Sequence, residues 1–131
     1  RLPEELGISC KLDYLFKFEY HVPYKDIGSE NEVCGTLIGV VDDPTKIKLV
    51  KEEINDIKWN TLDDLLNDIK KSPQIYCPWM IVALYFLSES KKDILPQHSS
   101  ILNKWIRNDA KQILEKPLKY HFPDNKWELK K

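Results

Sequence analysis

The chain is poor in glycine and methionine, with four of the first and one of the second, and no two of its cysteines are closely spaced. Cys10, Cys34 and Cys77 are odd in number and far apart. That spacing excludes a self-contained disulfide framework and a zinc ribbon, and it reads as reduced thiols in a cytoplasmic protein. Long apolar runs are also missing. The longest, Trp79 to Leu87, falls short of the roughly 20 residues of a membrane span and has the length of a buried helix. Charge of one sign is absent too: the formal net charge is −1, so there is no basic surface for nucleic acid or an anionic membrane. The lysine pairs Lys70-Lys71, Lys91-Lys92 and Lys130-Lys131 are short and read as solvated faces. No internal repeat or low-complexity tract occurs. There is no initiator methionine, and Arg1-Leu2-Pro3-Glu4-Glu5-Leu6-Gly7 reads as the last turns of a helix closed by a glycine cap. The expectation is that the chain is the later part of a longer protein.

With 131 residues the chain can bury a core of its own. From Leu15 to Val22 apolar and polar residues alternate, which predicts a half-buried strand with Phe16, Phe18 and Tyr20 on one face and Lys17, Glu19 and His21 on the other. Pro23 is expected to end it, and Tyr24 to Ser29 to form a loop of about six residues. A second strand is predicted from Glu30 or Asn31 to Val41, and a third from Ile54 to Trp59. Asn60 or Thr61 then caps an amphipathic helix carrying Leu62, Leu65, Leu66 and Ile69, broken at Lys71-Ser72-Pro73. Pro78 starts a second, more apolar helix that runs to about Ser90.

The order describes an α/β domain over residues 1–92. Residues 93–131 read as a helical extension with an aromatic tail. Pro96 lies in a connector, Ser99 or Ser100 caps a helix, and Ile101, Leu102, Trp105, Ile106, Ile113 and Leu114 form one stripe. That stripe predicts core packing; Phe122 and Trp127 in the tail are candidates for a cover over a substrate opening.

Few residues carry reactive chemistry in a pattern. Glu30 and Glu32 lie two apart on a predicted strand and therefore share a face. Their oxygens suit a hard divalent cation. Spacing alone reads first as a solvated strand end, just as Trp79 alone reads as core. His21, His98 and His121 have no ligand spacing.

Four segments taken together narrow this reading. Arg1 to Ile8 resembles the end of the Nudix box, a helix finishing Glu-Glu-x-Gly before an aliphatic residue. With Phe18-Glu19-Tyr20, Glu30-Asn31-Glu32 and Cys77-Pro78-Trp79-Met80 in order, the chain from Arg1 to about Leu87 resembles the type I isopentenyl-diphosphate isomerases, a Nudix branch. The resemblance implies a mixed β-sheet packed between helices, here without its N-terminal portion. It implies an isomerase of isoprenoid biosynthesis that turns isopentenyl diphosphate into dimethylallyl diphosphate through a carbocation, as a monomer or homodimer.

The same resemblance implies roles. Glu30 and Glu32 would be metal ligands, Glu32 also an acid/base, and Tyr20 a partner in proton transfer. Glu5 would hold Mg2+ against the diphosphate, with Mn2+ or another divalent ion as the option at Glu30 and Glu32. Arg1 would contact the diphosphate, and Trp79 the isoprene unit. The family's catalytic cysteine and metal-binding histidines precede the Nudix box, so Cys34, which follows the Glu-x-Glu, is not that cysteine, and the chain alone is expected to be inactive. Glu4 beside Glu5 departs from the isomerase pattern and keeps open a magnesium-dependent diphosphate hydrolase. An interaction module on a degenerate Nudix fold is the non-enzymatic alternative.

Overall fold

The computed structural model describes residues 1–90, 99–108, 110–123 and 128–129. Lys91-Lys92, Pro96, His98, Trp127, Lys130-Lys131 and the expected boundary at 92/93 lie outside the described residues. The remaining chain is a mixed α/β arrangement in which an aromatic strand face is covered by one apolar helix.

Helix α1 (Leu2–Leu6) ends at Gly7, whose φ of 65° is left-handed and costs glycine nothing. Its late carbonyls are taken up by the chain some forty residues on, through Lys48 N–H to Leu6 O at 2.8 Å and Val50 N–H to Glu5 O at 3.1 Å. Strands β1 (Leu12–Tyr24) and β2 (Gly28–Gly39) form a long antiparallel hairpin. Its connection is the turn Lys25–Ile27, shorter than the sequence predicts, because β1 runs through Pro23. The proline is tolerated for a geometric reason. His21, two residues earlier, turns its carbonyl to the Glu115 N–H at 3.0 Å, so Pro23 directs its absent N–H to that same side, away from β2.

Helix α2 (Leu62–Lys71) starts where Thr61 Oγ1 accepts the Asp64 N–H at 3.1 Å. It carries Asp63 and Asp64 in its first turn and Lys70 and Lys71 in its last, matching the helix dipole. Leu66 and Ile69 are buried. Helix α3 (Pro78–Ser90) opens on Pro78 as predicted. Helices α4 (Ser99–Asn108) and α5 (Ala110–Ile113) share the stripe expected of one helix, and Leu102, Trp105 and Ile106 are buried.

Three sequence expectations need correction. Ile54 to Trp59 is not a strand. Its start is drawn into a turn, with the Ile54 N–H bonded to Val50 O at 2.9 Å. Trp59 is 65% exposed, and among the described residues the alternation has no strand to pair with. Secondly, the tail is not all irregular: β3 (Lys119–His121) pairs with β1 opposite Lys17–Glu19, and β4 (Glu128–Leu129) pairs with β3. The sheet order is β2-β1-β3-β4, and every pairing is antiparallel, not mixed. Thirdly, helix α3 covers one face of the hairpin, whereas Tyr14, Val33 and Leu37 on the other face remain exposed. Among the described residues the sheet is therefore not enclosed between helix layers. No helix of the described residues is long and apolar enough to cross a membrane.

The core centres on Phe86 of α3, fully buried. Its ring lies 5.9 Å from Phe16, 5.7 Å from Phe18, 4.9 Å from Tyr120 and 6.2 Å from Phe122. Phe122, expected as part of a cover, is thus a core partner. We expect Phe86→Ala to lower unfolding free energy by about 3–5 kcal/mol, while Ile27→Ser at the exposed turn changes it by less than about 0.5 kcal/mol. Urea denaturation of both variants measures the difference.

Candidate active site

Cross-strand register decides which side chains meet. Tyr20 pairs with Glu32, Val22 with Glu30, and Phe18 with Cys34. Directly opposed residues of an antiparallel pair lie on one face, so Glu30, Glu32 and Cys34 continue the aromatic face of β1 onto β2. The Tyr20 hydroxyl donates to Glu32 Oε2 at 3.3 Å. On its other side the Tyr20 ring stacks on Trp79, with centroids 5.5 Å apart and planes 21° from parallel. Trp79 is the second residue of α3 and is half-buried. Three of the six expected site residues, from three elements, are therefore brought into contact.

Electrostatics at this cluster keep protons on. Burial pushes the Tyr20 phenol up, above its ordinary range, and the charges of Glu32 and Glu30 push it further, as does its hydrogen bond to Glu32. Burial likewise raises the Cys34 thiol, followed by the charge of Glu32 and that of Cys77. Tyr20 is thus a neutral donor at ordinary pH. Cys77, half-buried before Pro78, joins the cluster; the sequence offered only its place beside Pro78-Trp79 as a signal.

Arg1 and Glu5 stand elsewhere. Arg1 Nε pairs with Glu5 Oε1 at 3.0 Å, and Arg1 Nη2 approaches Glu53 Oε2 at 3.7 Å. Neither has a hydrogen bond or ion pair to Tyr20, Glu30 or Glu32 among the described residues. No group of three or more His, Cys, Asp or Glu side chains arranged to hold a metal occurs among those residues. The exposed carboxylates of Glu30 and Glu32 fit part of the oxygen shell of a divalent cation,, and Glu5 does not join them.

Titration makes the site testable. A raised folded value means the folded state favours the neutral phenol. That contribution to stability is complete below the unfolded tyrosine pKa of about 10 and is lost as pH climbs through the folded value. Tyr85 is raised as well, by burial first and then by its bond to Glu89. Tyr76 is raised too, first by its hydrogen bond to Asp68, so an absorbance titration at alkaline pH should find Tyr20, Tyr76 and Tyr85 among the late phenols. Tyr20→Phe should remove one of them, and Glu32→Gln should bring that one down without making it ordinary, since burial remains.

Comparison with known proteins adds a family direction. No family model matches the chain, and no solved structure gives a significant match. Among curated proteins it is 33% identical over 89 residues to an isopentenyl-diphosphate Delta-isomerase of Ruegeria pomeroyi, covering 65% of this chain and 48% of that protein. It is 35% identical over 101 residues to one of Halobacterium salinarum, covering 73% of this chain and 47% of the relative. A third, isopentenyl-diphosphate Delta-isomerase 2 of Aromatoleum aromaticum, is 32% identical over 84 residues, 64% of this chain and 43% of its own length. The chain spans about half the length of the curated relatives it matches, and those relatives are named as isomerases of isopentenyl diphosphate.

Proposed function

We propose that this chain carries one proton-handling side of a type I isopentenyl-diphosphate isomerase with a Nudix-type fold. The observation that carries the reading is Tyr20, hydrogen-bonded to Glu32 at 3.3 Å and stacked on Trp79 at 5.5 Å. The names of the relatives supply the substrate.

The reaction moves a double bond by one position. A proton is added to the terminal carbon, leaving a tertiary carbocation, and a proton is then lost from the neighbouring methylene. Glu32 is the carboxylate that takes or returns the proton on this face. Tyr20, held neutral by burial and by two nearby carboxylates, hydrogen-bonds that carboxylate and relays its proton. Trp79 offers an indole beside the cation. An indole face is worth about 2 kcal/mol to a desolvated cation, or roughly 30-fold in rate. In the family that the chain resembles, the partner on the opposite face of the substrate is a cysteine that precedes the Nudix box.

Glu30 and Glu32 would hold a divalent cation, Mg2+ or Mn2+, which when bound fixes and polarises the carboxylates. Arg1 and Glu5 would serve the diphosphate end, Arg1 by its guanidinium and Glu5 through Mg2+. Arg1 is 72% exposed in its side chain, so it is free to exchange Glu5 for a phosphate oxygen.

The test is NMR of the intact protein carrying this chain, supplied with isopentenyl diphosphate and Mg2+. The two methyl signals of the dimethylallyl product should appear without phosphate release. Glu32→Gln should slow turnover by about 10²–10⁴-fold, and Trp79→Leu by about 30-fold. Phosphate release with no shift of the double bond would reject the isomerase in favour of diphosphate hydrolysis.

A further inference from the structure

His21 stands on the face of β1 opposite Tyr20, and the isomerisation does not use it. Its side chain is 12% exposed, and both ring nitrogens have neighbours. Ser29 Oγ lies 3.1 Å from Nε2, and Glu115 Oε2 lies 2.7 Å from Nδ1. Register explains the first contact: Pro23 pairs with Ser29 and His21 with Asn31, so Ser29 is the diagonal neighbour of His21 on the same outer face. Backbone explains the second, since the Glu115 N–H donates to the His21 carbonyl at 3.0 Å. That bond holds the carboxylate beside the ring. Oε2 sits off the Nδ1–H axis, leaving Nδ1 without an aligned hydrogen bond although the two atoms are in contact.

A hydroxyl, an imidazole and a carboxylate in that order form the relay of a base-assisted nucleophile. Carboxylate at Nδ1 favours the tautomer with its proton there, which leaves Nε2 free to accept from Ser29. We propose that Ser29 is a nucleophile with His21 as its general base and Glu115 as a positioning residue, and that it accepts acyl groups from activated carboxylic esters. Ser29 is exposed, so an ester can reach it. Its Oγ bonds to the carbonyl carbon while its proton passes to Nε2. The ester C–O bond then breaks, and the leaving oxygen departs with that proton. Water later cleaves the serine ester, giving the acid and restoring the hydroxyl. No oxyanion hole is invoked, so the expected acceleration is that of base assistance, on the order of 10²-fold.

The experiment treats the intact protein with p-nitrophenyl acetate, follows p-nitrophenolate release, and locates acetyl groups by peptide mass spectrometry. Ser29 should be acetylated about 10²-fold faster than other exposed serines. Ser29→Ala should remove the signal, and His21→Gln should return Ser29 to the rate of an ordinary serine. Glu115→Gln, at a half-exposed side chain, should fold as the parent does by circular dichroism and still slow the reaction at least tenfold. Acetylation of Ser29 at the rate of other serines would overturn the proposal, and so would an unchanged rate in folded Glu115→Gln. This proposal does not rest on the isomerase reading, which concerns the other face of the strand.

Discussion

The proposed isomerase site depends on α3 lying along β1 with matched ring spacing. Trp79 and Phe86 are seven residues apart on α3, two turns and about 10 Å of rise. On β1, Tyr20 stands about 10 Å from the midpoint of Phe16 and Phe18 at strand rise. The rings pair accordingly: Phe86 packs on Phe16 and Phe18, and Trp79 stacks on Tyr20. Helix and strand therefore run in opposite directions. A slip of one residue on the strand would turn the aromatic set outward, and a slip on the helix would rotate Trp79 away from Tyr20. Packing and site are set by a single register.

That coupling explains why the polar part of the site sits where it does. The inner face of β1 is buried through Tyr20 and on to Val22, with the Tyr20 ring against Trp79 near the helix start. On the neighbouring strand the same face passes from half-buried Ile38, Thr36 and Cys34 to exposed Glu32 and Glu30. Tyr20 thus straddles a boundary. Its ring belongs to the core, and its hydroxyl reaches the first carboxylate outside it. Burial and negative charge act on the phenol together because it occupies this boundary.

Local signals in the sequence were legible where a single element carries them. The glycine cap at Gly7, the threonine cap at Thr61, the proline start of α3 and the alternation of β1 each have a cause within a few residues. Features that depend on a distant partner were not. Ile54 to Trp59 alternates like a strand, yet no strand among the described residues pairs with it, whereas Lys119–His121 has no visible period and becomes a strand because β1 offers a free edge at Lys17–Glu19. The docking of α1 onto residues 48–50 runs through backbone hydrogen bonds, which no side-chain pattern announces. Of the site, the shared face of Glu30 and Glu32 followed from strand period, but the meeting of Tyr20 with Trp79 joins strand to helix across most of the domain. No spacing rule reaches that far; only the resemblance in motifs pointed to it.

Fold stability gives no reason for two carboxylates at this place. A face apolar through Phe16 and Phe18 would gain more from a further aliphatic pair than from Glu30 and Glu32, since burying one methylene is worth about 0.8 kcal/mol and an exposed carboxylate contributes little. The pair also raises the phenol it borders, which disfavours any charge on Tyr20. Adjacent like charges at the rim of a core repel, and exposed ones leave that repulsion to water where no partner of opposite charge is near. Arg1 is engaged with Glu5 and Glu53, and no lysine or arginine is paired with Glu30 or Glu32 among the described residues. Under the proposed isomerase reading a divalent cation is that partner, which would set the pair's place at the rim by chemistry and not by folding.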